Sequence, residues 1–115
     1  MLQTVNASTL IALLKTLPLD LTFMDAADRI VWFSAHRIFN RPPDIIGRNV
    51  RECHQPSSWA AIDKMVADFK SGSRDSEEHL VEKSDGRRIR IRYLAVRSPS
   101  GEYLGLVELA ELITG

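Results

Sequence analysis

Cysteine is nearly absent from this sequence. Cys53 stands alone, so no internal disulfide can form, and a reducing, cytoplasmic location is expected. An excess of one charge is absent too. Fifteen basic and fifteen acidic side chains give a formal net charge of zero, and without a basic surplus no nucleic-acid partner is expected. There is no long hydrophobic run. The best one, residues 9–17, is interrupted by Lys15 and is too short to span a bilayer. The N-terminus lacks the charged start and small-residue cleavage site of a secretory signal, so no membrane association is expected. Three scattered histidines and one cysteine lack the ligand spacing of a zinc site. No metal is therefore assigned.

What is present suits one small domain. The 115 residues suffice for a single core and are too few for two. The segment that organises the chain is 42–69, which is too apolar for a floppy loop and too long for a turn. It is expected to lie across one face of a sheet and to wall in a small cavity.

Before it, Asn6, Ser8 and Thr9 are candidate caps for a helix running to about Leu17, where Pro18 ends it. Leu10, Ile11, Leu13, Leu14 and Leu17 make this helix apolar on more than a stripe, so it needs cover from its own sheet or from a second copy. Residues 1–17 thus form an amphipathic helical arm and 18–115 the domain proper. Residues 20–25 and 29–34 read as a hairpin around Ala26-Ala27-Asp28, with Phe23 and Trp32 expected to face the core. Residues 35–40 allow one helical turn. Pro43 opens a short turn of helix that Gly47 stops. Ser57 or Ser58 caps a helix to about Lys70, with Trp59, Ile62, Met65, Val66 and Phe69 on one face and Gly72 beyond its end.

Two strands follow, 76–83 and 88–97, around Ser84-Asp85-Gly86. Ile89, Ile91, Tyr93 and Ala95 alternate with Arg88, Arg90 and Arg92. A three-residue loop with Gly86 left-handed sets Glu82 opposite Arg88 and Glu78 opposite Arg92, and points His79 inward beside Ile91. Leu94 and Val96 share the arginine face, so cover by the N-terminal helix is expected there. The last strand is 103–113, with Gly105 as a bulge or close approach. The order gives an α+β domain with a five-stranded antiparallel sheet and a helical crossover on one face.

Several motifs then point to one family. Leu-Pro-Leu-Asp-Leu-Thr-Phe, Ile-Ile-Gly-Arg-Asn-Val, Cys-His-Gln-Pro, Ile-Arg-Tyr-Leu-Ala-Val and Ser-Gly-Glu-Tyr-Leu-Gly occur in an order and spacing that resembles a PAS domain over 17–114. They are similar to a bacterial and archaeal group in which the module often follows a hemerythrin-like helical domain. No four-helix domain stands ahead of it in these residues, so a stand-alone copy or an excised fragment is expected. The resemblance implies a sensor that holds a small ligand or none and signals to a partner through the sheet and the flanking helix; the apolar N-terminal helix separately leads to the expectation of a homodimer.

The chemistry of the residues narrows this. Cys53 and His54 are sequence neighbours and do not face each other on a helix, and no acid supports them, so no enzyme is expected. A haem or redox sensor would need His54, His36 or His79 as ligand, because residues 57–69 hold no histidine where haem-binding relatives usually carry one. In light-sensing relatives the segment resembling 47–51 carries a photoreactive cysteine. Val50 takes that place here, so flavin adduct chemistry is not expected. The arginines of 87–97 run beside Asp75, Glu77, Glu78 and Glu82 and read as a paired exposed face. A ligand pocket, its occupant unspecified, is expected between 45–69 and the sheet. Phe23, Trp32, His79, Ile91 and Tyr93 line it from the strands, and Ile46, Cys53, His54, Trp59 and Ile62 from the crossover. A packed, ligandless dimerisation module is the remaining alternative.

Overall fold

The computed structural model describes residues 4–114. Helix α1 (Ala7–Thr16) leads into β1 (Asp20–Asp25) and β2 (Ile30–Phe33), then a crossover of three short 3-10 turns runs into α2 (Trp59–Ser71), followed by β3 (Ser76–Glu82), β4 (Arg88–Arg97) and β5 (Tyr103–Thr114). All five strands form one antiparallel sheet in the order β2-β1-β5-β4-β3. The expected α+β architecture is the observed one.

Local chemistry explains the elements. The Asn6 side chain accepts from the Thr9 amide at 2.8 Å, and Leu17 turns extended ahead of Pro18. The β1–β2 turn manages without glycine because Asp28 adopts the left-handed region at φ 64°, which aspartate tolerates. Asp25 Oδ1 accepts from the Ala27 and Arg29 amides and holds the turn. Between β2 and α2, Asn49 and Glu52 make a reciprocal capping box around the turn Val50–Cys53. Gly72, left-handed at φ 81°, ends α2.

The sheet buries one face under α2. Met24, Leu106, Met65, Val66 and Phe69 form the central cluster, with Phe69 at 0% exposure. Period-2 alternation places Thr22 and Met24 of β1 and Leu106, Glu108 and Ala110 of β5 on this inner face. Ile89, Ile91, Tyr93 and Ala95 join them from β4.

Three local expectations give way. Residues 35–40 are not helical; the Asp20 carboxylate takes the Ile38 and Phe39 amides at 2.7 and 3.0 Å and pairs with Arg37 at 2.6 Å. A buried acid distant in sequence thus outcompetes a helical turn. Phe23 and Trp32 sit opposite each other in β1 and β2, on the outer face, alternate to Thr22 and Met24. Their size suggested the core, but the strand phase assigns them the other side. Finally, α1 buries none of its residues, so it does not cover Leu94 and Val96. Ile11 and Leu13 are 48% and 53% exposed.

The β3–β4 register is the one that Gly86 implied: Glu82 opposite Arg88, Glu78 opposite Arg92 and His79 opposite Ile91. The ion pairs differ from the register, because Glu111 of β5 takes Arg92 at 2.7 Å and Arg90 at 3.1 Å. Glu78 is left with a longer contact to Arg90 at 3.8 Å.

Candidate functional site

Between α2, the crossover and the inner sheet face lies a small cavity of about 50 Å³. Its wall is mostly apolar: Met24, Ile30, Val50, Ile62, Met65 and Leu106. At one end polar groups converge, namely Thr22, Arg41, His54, Tyr93 and Glu108. The volume exceeds what one water needs, yet falls well below the several hundred cubic ångströms of a drug-sized ligand site.

Each polar group is placed by a distinct device. Thr22, Glu108 and Tyr93 lie in one row across the sheet, since Thr22 pairs with Glu108 and Glu108 with Tyr93. Arg41 reaches them from the loop that Asp20 anchors, and contacts Glu108 at 3.4 Å with both side chains largely buried. Its Nε is buried with no hydrogen-bond partner among the described residues. Burial, and then the neighbouring Glu108 charge, push the Tyr93 phenol above its ordinary pKa, so it stays a neutral donor. His54 closes the crossover turn, with Nδ1 3.0 Å from the Val50 carbonyl oxygen.

A second, more open cleft of about 200 Å³ lies between α2 and β3. It shares His54, Ile62, Met65 and Tyr93 with the cavity, so these four form the partition between the two spaces. His79 stands at its rim, edge-on to Tyr93 at 5.9 Å between ring centres and 2.7 Å from Glu77. Although burial alone would raise its pKa, hydrogen bonds from His79 and Arg74 hold Glu77 below the usual carboxylate range.

Of the ten residues singled out in the sequence, His54, Ile62 and Tyr93 line the cavity. His79 joins them at the cleft. Ile91 lies on the inner face, where it is neither in the cavity nor in the cleft lining. Phe23 and Trp32 are on the opposite face of the sheet. Ile46 is exposed. Trp59 is exposed as well, and its indole donates to the Arg51 carbonyl at 2.9 Å. Cys53 opens onto a separate surface groove with Arg48 and Glu52. Sequence reasoning missed Thr22, Met24, Ile30, Arg41, Val50, Met65, Leu106 and Glu108 as lining residues. Glu108 carried a signal: a charge set between Val107 and Leu109 in a largely apolar strand whose other acid, Glu111, lies in the opposite phase.

The groups present do not suit a large cofactor. A porphyrin or isoalloxazine ring is far bigger than this cavity, and Val50, a residue without a thiol, occupies the wall where Cys53 does not reach. Among the described residues no three histidine, cysteine, aspartate or glutamate side chains are grouped to hold a metal ion.

The model of the PAS domain family matches residues 10–114. The chain belongs to the PAS domain family. Among curated proteins none matches this sequence. Solved structures do. A C-terminal domain from Streptococcus mutans shares 26% identity with a TM-score of 0.85, over 96% of this chain and 87% of that one. The PAS domain of BvgS from Bordetella pertussis aligns with a TM-score of 0.69 at 13% identity, over 94% of this chain and 86% of that one. A sensory box sensor histidine kinase from Vibrio cholerae aligns at 0.63 and 16% identity, over 92% of this chain and 90% of that one. The likeness to the BvgS domain shows the PAS fold. Among the described residues, no helix is long and apolar enough to cross a membrane.

Proposed function

We propose that this PAS domain is a non-catalytic sensory module that takes a small ligand into the Arg41–Glu108 cavity. The observation that carries the reading is the cavity itself, an apolar chamber with polar groups gathered at one end. Because Arg41 and Glu108 already face each other, the best match is a small, uncharged, mostly apolar molecule with one hydrogen-bonding head. Thr22, whose oxygen accepts from Arg37 at 3.2 Å, keeps its O–H for that head, and Tyr93, bonded to Glu108, offers its oxygen. The ligand acts by binding two conformations of the sheet and α1 with different affinity, which a cytoplasmic signalling partner reads. The alignment with a sensor histidine kinase supports the sensory assignment.

Ligand-observed NMR with a panel of small neutral amides, alcohols and ketones tests this. Binders should be found with the natural chain and lost in Ile62→Trp, whose indole fills the chamber. Equal binding by both proteins would contradict the site.

The second reading, a dimerisation module, draws on α1. Leu13 and Leu14 are 53% and 38% exposed, and Leu17 just past the helix is 36% exposed. A second copy laid along α1 would cover them, and symmetric homodimers are the commonest assembly. The chain is expected to elute as a dimer. Replacing Leu10 and Leu14 together with glutamate should move it to monomer size, whereas an unchanged elution volume would count against this helix as the contact.

A further inference from the structure

The two edges of the sheet are treated differently. At the β2 edge the crossover closes the ladder: the Ile30 amide donates to Arg48 O at 2.9 Å and the Gly47 amide to Ile30 O at 2.7 Å. At the other edge, β3 is the last strand, and among the described residues nothing follows it in the sheet order. The bonds Lys83 N to Arg87 O and Ala95 N to Asp75 O fix the phase of the β3–β4 ladder. Odd-numbered residues of β3 therefore turn their backbone groups to β4. Ser76, Glu78, Leu80 and Glu82 turn theirs outward.

Apart from its acidic side chains, this edge carries little of the usual protection. It is seven residues long and contains no proline and no lysine. Its pairing with β4 runs without a bulge, and Leu80 in its middle is 62% exposed. It is also acidic, with Glu77, Glu78 and Glu82 against His79 alone. The side chain of Glu78 is 53% exposed, and its contact to Arg90 is long at 3.8 Å. On the inner side of β3 the neighbouring strand is basic at every second residue: Arg88, Arg90 and Arg92 face Glu82, Leu80 and Glu78. The far side of the same acidic row has no such complement.

We propose that the β3 edge docks an extended basic segment of a partner protein, which adds to the sheet as a sixth strand antiparallel to β3. The outward amides and carbonyls of Glu78, Leu80 and Glu82 supply the ladder, and side chains across it supply the selectivity. The register dictates the sequence that fits. An apolar residue sits opposite Leu80, and lysine or arginine two positions to either side sits opposite Glu78 and Glu82. A second copy of β3 is a poor occupant, because it sets three glutamates along the ladder against three more.

The test uses the full chain and a blocked peptide, Thr-Arg-Thr-Leu-Thr-Arg-Thr, followed by amide NMR and hydrogen exchange. The amides of Ser76, Glu78, Leu80 and Glu82 should shift saturably and gain protection, and a peptide with glutamate for arginine should bind at least about tenfold more weakly. Leu80→Pro removes an outward amide and the leucine side chain but no bond to β4, so it should weaken the basic peptide about tenfold or more with the β4 ladder intact. Should that variant not fold, Glu78→Lys with Glu82→Lys serves instead and should reverse the preference to the acidic peptide. No shift at millimolar basic peptide, shifts confined to another surface, or equal affinity for both peptides would overturn the proposal.

Discussion

Gly105→Ala is expected to destabilise the fold by about 3 kcal/mol or more, lowering the melting temperature by roughly 10–20 °C for a domain of this size. Gly105 is buried in β5, opposite Asp25 of β1, with φ at 145°. A Cβ there would run into the Met24 carbonyl oxygen, part of the β1 backbone, and approach the Phe23 ring to 2.9 Å. Backbone cannot swing aside as a side chain does, so β1 and β5 would have to separate where the core is centred. Gly86→Ala is the control. It shares a positive φ of 90° but meets nothing within 4 Å, so its cost should stay near the 1–2 kcal/mol of the left-handed conformation. Thermal denaturation followed by circular dichroism separates the two. Similar losses for both variants would show that conformation, and not the close strand approach, governs Gly105.

Asp20→Ala is expected to cost about 3–5 kcal/mol, the usual effect of removing one partner from a buried ion pair. Asp20 is 1% exposed and faces Arg37, whose side chain is only 10% exposed. Burial pulls the Arg37 pKa down and the Asp20 charge opposes that pull, so loss of the carboxylate strands a cation in the interior. Two backbone amides, of Ile38 and Phe39, lose their acceptor as well. The expected effect is local before it is global. Hydrogen exchange at Ile38 and Phe39 should quicken most, and Arg41 should lose its fixed approach to Glu108. Adding Arg37→Met should recover part of the stability, because the stranded charge goes with it. Denaturant unfolding that leaves Asp20→Ala within 1 kcal/mol of the natural chain would remove this anchor from the account.

These two positions also mark how far the sequence was readable. Gly105 stood out as a glycine inside a strand, and Gly86 fixed a three-residue turn and with it the β3–β4 register. The periodic face of α2 was plain in the same way from Ile62 to Phe69, where period and terminal glycine agree, while Trp59 at its start is exposed. Local pattern sufficed where neighbours in sequence decide the structure. It failed where a distant group decides. Nothing within 35–40 signals that Asp20, some eighteen residues earlier, will take its amides and prevent a turn of helix. Phe23 and Trp32 misled because large aromatics were assigned to the core, whereas Asp20, Thr22 and Met24 are the buried residues of β1. A strand with both phases partly apolar does not announce which one lies under the helix.

The site was less legible than the fold for a related reason. Arg41 and Glu108 are charged residues in ordinary composition, and only their meeting across the sheet and the crossover makes them a buried pair. Cys53 and His54 attracted attention as chemistry-bearing neighbours, yet the turn at 50–53 sends one to a surface groove and the other to the cavity partition. Adjacent residues on a tight turn point apart. Chemical interest alone does not place a residue at a site.

The most direct test is methyl-resolved NMR of the chain titrated with whichever neutral molecule binds best. Saturable shifts are expected in the methyls of Met24, Ile30, Ile62, Met65 and Leu106, which wall the cavity, with the indole of Trp32 on the outer face unmoved. Shifts that leave the methyls of those five residues in place and move the outer face instead would contradict the cavity as the binding site.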